Sequence, residues 1–162
     1  MLIMDVDGVL TDGTAFCGPD GFEALAFNIH DGTGITYLHR AGLRTALITG
    51  RQVPAVQQRA QTLGITDVVQ GAKVKIEAYE AVRARTGLRD EEVAYIGDDL
   101  PDIPVMRRVG LAIAVRNAAP EVLRVADLVT RKRGGDGAVR EAAEFILKAQ
   151  GKWDQILERY RA

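Results

Sequence analysis

Short apolar runs alternate along the chain with longer segments of helical length. The runs are rich in Val, Ile and Leu and are bounded by turn residues, as buried β-strands are. They cover residues 2–6, 45–49, 67–69, 93–96, 111–115 and 127–129. The segments predicted as helices cover 33–41, 53–63, 74–86, 102–109 and 120–125. Most of these helices are followed by a glycine, which is a common stop signal: Gly42, Gly64, Gly87 and Gly110.

This alternation predicts an α/β fold. Strands joined by crossover helices pair in parallel with right-handed connections, so we expect a three-layer α/β/α sandwich with a mostly parallel, doubly wound, Rossmann-like sheet. The length of 162 residues suits a single domain over 1–162, and no repeat or linker interrupts it. Sheets of this kind bind ligands beyond the carboxyl ends of their strands.

Residues 14–28 break the alternation. The stretch reads TAFCGPDGFEALAFN and places Gly-Pro-Asp-Gly between two β-prone runs, which predicts a projecting β-hairpin. We expect Cys17 to be a buried residue of that hairpin. Residues 152–162 follow Gly151 and carry the single tryptophan, Trp153, on a short amphipathic stretch, which suggests a docking tail.

Composition narrows the class of partner. Hydrophobic residues make up 47% of the chain and charged residues 27%, with a net charge of -1, which argues against disorder and against a basic nucleic-acid surface. One cysteine and two histidines argue against disulfides and a Cys/His zinc site, and fit a reducing cytoplasm. No secretory signal is apparent, and the apolar run at 109–115 is far shorter than the roughly 20 residues that span a membrane. A small-molecule partner is expected.

Two acidic residues follow the first predicted strand. Side chains alternate along a strand, so Asp5 and Asp7 start on the same side. Neighbouring carboxylates repel unless a cation is present or one of them takes up a proton. Asp98, Asp99 and Asp102 add negative charge at the same sheet edge. Mg²⁺ prefers oxygen ligands and is commonly held by carboxylates together with substrate phosphate, so the pattern indicates a magnesium site.

Phosphate-binding groups follow two other strands. Thr49, Gly50 and Arg51 offer a hydroxyl, an approachable backbone amide and a guanidinium in succession. Lys75, near the start of the next helix, supplies a compact positive charge that balances the acids. The ligand at this edge is therefore expected to carry a phosphate group.

These segments carry a family resemblance. DVDGVLTDG at 5–13, ITGR at 48–51, Lys75 in QGAKVK and GDDLPD at 97–102 resemble, in order and spacing, the four motifs of the haloacid dehalogenase superfamily of phosphohydrolases. HDGTGI, AYIGDDLPDIPVM, VGLAIAV and GGDGAVRE further resemble its family of 3-deoxy-D-manno-octulosonate 8-phosphate (KDO 8-phosphate) phosphatases, nearly end to end. The resemblance implies a Mg²⁺-dependent phosphatase of lipopolysaccharide precursor biosynthesis. Phosphates of related sugar acids, such as nine-carbon sialic-type acids, stay open as alternative substrates.

The resemblance also implies roles for individual residues. Asp5 would attack phosphorus and become an aspartyl phosphate, and Asp7 would act as general acid and then as base. Thr49 and Lys75 would hold phosphoryl oxygens, with Gly50 and Arg51 as further substrate contacts.

The implied metal site draws on both acidic motifs. Mg²⁺ would be bound by Asp5, Asp98 and the backbone carbonyl of Asp7, with Asp99 and Asp102 in an outer shell. Asp102 equally suits a plain helix-start role, because it follows Pro101.

Relatives of this size lack a cap domain, and the hairpin stands where a cap could be inserted. The resemblance implies a homotetramer in which such hairpins meet at a four-fold centre and each subunit covers its neighbour's site. The carboxyl-terminal tail would then contribute to sugar recognition near GGDGAVRE.

Three other classes of protein fit the sequence less well. A receiver domain would carry its phosphorylated aspartate after the third strand, where this chain has Val69-Gln70-Gly71. A dinucleotide-binding domain would need a GxGxxG turn after the first strand, which is absent. A non-catalytic assembly subunit would typically have lost Asp5 or Asp7, and both are present.

Overall fold

The computed structural model describes residues 1–161, and their central feature is a parallel β-sheet. The strands are β1 (Leu2–Met4), β2 (Ala15–Cys17), β3 (Glu23–Leu25), β4 (Thr45–Ile48), β5 (Asp67–Val69), β6 (Ala94–Gly97), β7 (Leu111–Ala114) and β8 (Leu128–Val129). Six of them form one sheet in the order β5-β4-β1-β6-β7-β8, and each neighbouring pair is parallel. This confirms the predicted α/β class.

Helices flank the sheet. They are α1 (Ile29–Arg40), α2 (Pro54–Leu63), α3 (Lys75–Thr86), α4 (Ile103–Met106), α5 (Pro120–Leu123), α6 (Ala138–Ala149) and α7 (Trp153–Glu158). Helix α1 begins four residues before the predicted start, because the side chain of Asn28 accepts hydrogen bonds from the His30 and Asp31 amides at 2.8 and 3.4 Å. Helix α4 ends at Met106, short of the predicted residue 109.

Helix α6 was not predicted. Its buried face repeats at helical spacing and consists of Ala138, Val139, Ala142, Ala143, Ile146 and Leu147. The helix packs along α1, and the two backbones approach so closely that a Cβ on Gly34 would lie 2.9 Å from the Cα of Arg140. Glycine at position 34 is therefore required for this contact.

Strand β1 is the centre of the sheet and positions the candidate site. Its three residues are buried, and Ile3 lies opposite Ala46 on β4 and Tyr95 on β6. Because all six strands of this sheet run in the same direction, the carboxyl ends of β1, β4 and β6 are neighbours. This arrangement brings the residues that follow these strands to one edge of the sheet.

The predicted hairpin is confirmed as a separate two-stranded antiparallel sheet of β2 and β3. Its turn runs through Pro19–Gly21, where Asp20 takes a positive φ of 56°. The expectation that Cys17 is buried is wrong, since the residue is exposed, as are Phe16 and Phe22. Within residues 1–161, no further layer of structure covers these side chains of the hairpin.

The carboxyl-terminal segment contacts α1 of its own chain. Tyr37 lies edge-on to Trp153 and to Tyr160, with ring centroids 5.9 and 6.2 Å apart. The guanidinium of Arg40 donates a hydrogen bond to the Tyr160 hydroxyl at 3.0 Å. Over residues 1–161, every helix is too short or too polar to cross a bilayer.

Candidate active site

The site is centred on Asp5, the residue after β1. Its amide donates to the Ile96 carbonyl at 3.1 Å, which continues the sheet bonding and fixes the backbone. Only 5% of the residue is exposed. Its Oδ1 lies 2.7 Å from Nζ of Lys75, the first residue of α3, which is also buried. The structure therefore places Asp5 and Lys75, two of the predicted site residues, in direct contact.

Three carboxylates converge at this point. Oxygen atoms of Asp5, Asp98 and Asp102 all lie within 4.8 Å of one another. Oδ1 of Asp98 is buried and has no hydrogen-bond partner among the described residues. A buried, unpaired carboxylate oxygen in an all-oxygen cluster is the chemistry that a hard divalent cation satisfies, so the residues present fit Mg²⁺.

The electrostatics of the cluster reflect this crowding. Burial, followed by repulsion from neighbouring carboxylates, raises the pKa of Asp98 to about 8 and that of Asp5 to about 6. Burial opposes the charge on Lys75, but Asp5 and Asp102 outweigh it and raise the pKa of the ammonium. The crowding of negative charge therefore favours protonation of one carboxylate unless a cation balances it.

Asp7 has a different set of hydrogen-bond partners. Its Oδ1 accepts a hydrogen bond from Arg51 at 2.7 Å, and its Oδ2 accepts one from the buried Thr49 hydroxyl at 3.4 Å. The second terminal nitrogen of Arg51 pairs with Glu23 on the hairpin. Glu23 was missed at the sequence level, because its contact with Arg51 depends on where the hairpin folds back.

Asp102 is more deeply embedded than an outer-shell role suggests. The residue is fully buried, and its Oδ1 accepts hydrogen bonds from Lys75 Nζ and the Tyr95 hydroxyl, each at 2.6 Å. Its Oδ2 accepts from the amides of Asp98 and Asp99 at 3.0 and 3.2 Å. Through these hydrogen bonds, Asp102 anchors the loop that carries Asp98.

The remaining predicted residues lie at the surface of this edge. Asp99 is exposed, and its carboxylate accepts a hydrogen bond from the Leu100 amide at 2.8 Å. Gly50 is also exposed, beside the half-buried Arg51. These positions leave Gly50 and Arg51 accessible to a ligand that approaches from solvent.

Two glycine loops hold the site together. Gly8 takes a positive φ of 88°, and a Cβ there would overlap Asp98 Oδ2 and lie 2.6 Å from Asp98 Cγ. A Cβ on Gly134 would overlap the Gly8 carbonyl oxygen. Thr11 shapes the first loop, since its buried hydroxyl accepts from the Gly8 and Gly13 amides at 3.3 and 3.2 Å.

The parallel sheet and the carboxylate cluster at its edge point to one class of hydrolase. Residues 64–141 match the family described as haloacid dehalogenase-like hydrolase. The 3-deoxy-D-manno-octulosonate 8-phosphate phosphatase KdsC of Escherichia coli (strain K12) is 47% identical over 155 residues, which cover 96% of this chain and 82% of that protein. By this similarity, the chain belongs to the KDO 8-phosphate phosphatase family of these hydrolases.

Solved structures agree with this assignment. The Yersinia pestis 3-deoxy-D-manno-octulosonate 8-phosphate phosphatase has a TM-score of 0.93 at 49% identity, and the match covers 94% of this chain and 83% of that chain. The Moraxella catarrhalis enzyme, solved in complex with a magnesium ion, a phosphate ion and KDO, has a TM-score of 0.96 at 41% identity, with coverage of 99% and 92%.

Proposed function

We propose that the protein is a magnesium-dependent phosphatase that releases phosphate from KDO 8-phosphate by way of an aspartyl phosphate on Asp5. The observation that carries this proposal is the buried Asp5 carboxylate, 2.7 Å from Lys75 and clustered with the unpaired oxygen of Asp98. Relatives with this activity in their names match over more than nine-tenths of the chain, and one of them was solved with KDO bound.

The chain's own residues account for the first half-reaction. Asp5 is held by the sheet backbone and by Lys75, so one carboxylate oxygen can attack phosphorus while the ester P–O bond breaks. Asp7 gives a proton to the departing sugar oxygen. Thr49 and Lys75 donate to the phosphoryl oxygens, where negative charge is spread in the transition state.

The second half-reaction regenerates Asp5. Asp7, now a carboxylate, removes a proton from a water that attacks phosphorus, and the aspartyl P–O bond breaks to release inorganic phosphate. When bound by Asp5, Asp98 and the Asp7 carbonyl, Mg²⁺ supplies positive charge that lets the anionic ester approach the acidic edge. Arg51, which is shared by Asp7 and Glu23, is placed to exchange one of these contacts for an anionic group of the substrate.

We further propose that residues 1–162 act as one catalytic domain in a cytoplasmic homotetramer. The contact between Glu23 and Arg51 places the hairpin beside the site, and its exposed Phe16 and Phe22 offer an apolar surface for a neighbouring subunit. In such an assembly each hairpin, together with the carboxyl-terminal tail, would cover a site that a cap domain would otherwise close.

A phosphate-release screen tests the proposal. Purified protein with Mg²⁺ is given KDO 8-phosphate, a nine-carbon sialic-type acid 9-phosphate and p-nitrophenyl phosphate, and inorganic phosphate is measured. We expect the highest kcat/KM with KDO 8-phosphate, loss of activity in EDTA and recovery on adding Mg²⁺. Faster release from the nine-carbon ester would overturn the substrate, and release from none of the three esters would overturn the reaction class.

A further inference from the structure

Tyr95 carries a polar atom into the core beside the site. It lies in the middle of the central strand β6 with none of its surface exposed, and its hydroxyl donates to Asp102 Oδ1 at 2.6 Å. A buried hydroxyl is costly unless it is hydrogen-bonded, and phenylalanine would fill the same space without that requirement. The hydroxyl therefore matters for what it does to Asp102.

Asp102 connects the Tyr95 hydroxyl to two parts of the site. Oδ1 also accepts from Lys75 Nζ at 2.6 Å, and the same ammonium reaches Asp5 at 2.7 Å. Oδ2 accepts from the amides of Asp98 and Asp99, so it fixes the backbone that carries the Asp98 side chain, whose Oδ1 has no hydrogen-bond partner among the described residues. The Asp102 carboxylate thus helps to position both Lys75 and the loop that carries Asp98.

We infer that Tyr95 is a positioning residue, whose hydroxyl fixes the orientation of the Asp102 carboxylate and through it the placement of Lys75 and of the Asp98 loop. Without the hydroxyl, Oδ1 is held by the ammonium alone, and that ammonium is also attracted to Asp5. The carboxylate then turns toward Lys75 and pulls away from the two amides. This inference rests on the proposed phosphatase function for its effect on turnover, but its effect on metal binding is independent of it.

The ionisation of Tyr95 is compatible with this role. Burial, followed by the negative charge of Asp102, raises the pKa of the phenol well above its ordinary value. The phenol therefore keeps its proton near neutral pH and donates it to Asp102.

Tyr79 provides a matched control. Its ring is also buried, and its hydroxyl donates to Asp90 Oδ1 at the same distance of 2.6 Å, away from the carboxylate cluster, although Asp90 is half-buried and Asp102 is fully buried. Tyr95→Phe and Tyr79→Phe each remove one hydroxyl that is bonded to a carboxylate. A purely structural role would make the two variants behave alike.

The experiment compares both variants with the wild type by thermal unfolding, by Mg²⁺ calorimetry, and by kcat and KM for KDO 8-phosphate and p-nitrophenyl phosphate. For Tyr95→Phe we expect kcat to fall and the Mg²⁺ dissociation constant to rise, each roughly tenfold, the low end for residues that orient metal ligands. KM should stay within about twofold, because the loss falls on the reacting groups. Tyr79→Phe should show a shift in Tm no larger than that of Tyr95→Phe, because Asp90 is half-buried, and should keep wild-type kcat and Mg²⁺ affinity.

The outcomes distinguish the positioning role of Tyr95 from the proposed substrate. Equal effects of the two variants, or unchanged Mg²⁺ affinity in a folded Tyr95→Phe protein, would overturn the positioning role. If the wild type hydrolyses p-nitrophenyl phosphate but not KDO 8-phosphate, the proposed substrate fails while the comparison of variants stands. If it hydrolyses neither ester, the calorimetry still decides the role of Tyr95.

Discussion

Replacing Gly8 by alanine is the sharpest perturbation that the site offers. Gly8 has a φ of +88°, and the added Cβ would overlap Asp98 Oδ2 and lie 2.6 Å from Asp98 Cγ. Gly13, in the same loop, has a nearly equal φ of +85°, but a Cβ there finds its nearest neighbour at 3.8 Å, which is ordinary contact. The pair therefore separates the backbone cost of alanine from its effect on Asp98.

The magnitudes follow from these distances. A left-handed conformation costs an alanine about 1–2 kcal/mol, so both variants should lose about this much folding stability. Only Gly8→Ala also forces a carboxylate to move: Asp98 Cγ must shift by about 0.8 Å if its 2.6 Å separation is to reach 3.4 Å, and the overlapping Oδ2 must shift farther. Catalytic groups must be held within about 0.5 Å, and a misplacement of about 1 Å can reduce turnover roughly 100-fold.

The assay measures kcat with KDO 8-phosphate, Mg²⁺ affinity by calorimetry, and unfolding free energy by denaturant titration. We expect Gly13→Ala to keep kcat within a factor of about two of the wild type, and Gly8→Ala to lose roughly 100-fold in kcat with weaker Mg²⁺ binding. A Gly8→Ala protein with normal turnover and normal metal affinity would refute the claim that this glycine exists to admit Asp98.

Three further results are expected. Asp5→Asn should abolish turnover with little change in unfolding free energy, because it removes the nucleophile and keeps the shape; retained activity would exclude Asp5 from that role. The pKa values of Asp98 (about 8) and Asp5 (about 6) are raised in the folded protein. In EDTA, the folded protein should therefore hold protons that the unfolded chain has lost, so the unfolding free energy should fall as the pH rises from about 4 to about 8. Denaturant titrations across this range should show a smaller fall for Asp98→Asn and for protein with Mg²⁺; a wild-type fall unchanged by either would contradict the assignment. Sedimentation velocity should report a tetramer, and a fully active monomer would contradict shared coverage of the site.

The sheet edge could be predicted because its signals are local. Apolar runs mark the strands, and the carboxyl ends of parallel strands meet, so Asp5, Thr49 and Asp98 were expected together before any distance was known. The hairpin was equally predictable from its Gly-Pro-Asp-Gly turn. The exposure of Cys17 was not, since it depends on whether another layer covers the hairpin.

Contacts between distant segments could not be read from local patterns. The partners of Asp102 come from β6, from α3 and from the adjoining loop, so its role as an anchor follows from how the crossovers place those elements. The start of α6 also depends on a contact with a distant segment. Gly137 offers no side-chain cap, and the acceptor for the Arg140 amide, at 2.8 Å, is the buried carboxylate of Asp31 on α1.

The interlocked glycines bear on how the enzyme could be engineered. Any side chain at Gly134 would collide with the carbonyl of Gly8, and the neighbouring Gly135 amide is already bonded to the Val9 carbonyl at 2.9 Å. Substitutions in either loop must therefore be compensated in the other, which makes both poor targets for single-site libraries. Laboratory evolution toward new sugar esters should instead randomise the exposed hairpin turn at Pro19–Gly21, where substitutions leave the contact between Glu23 and Arg51 in place.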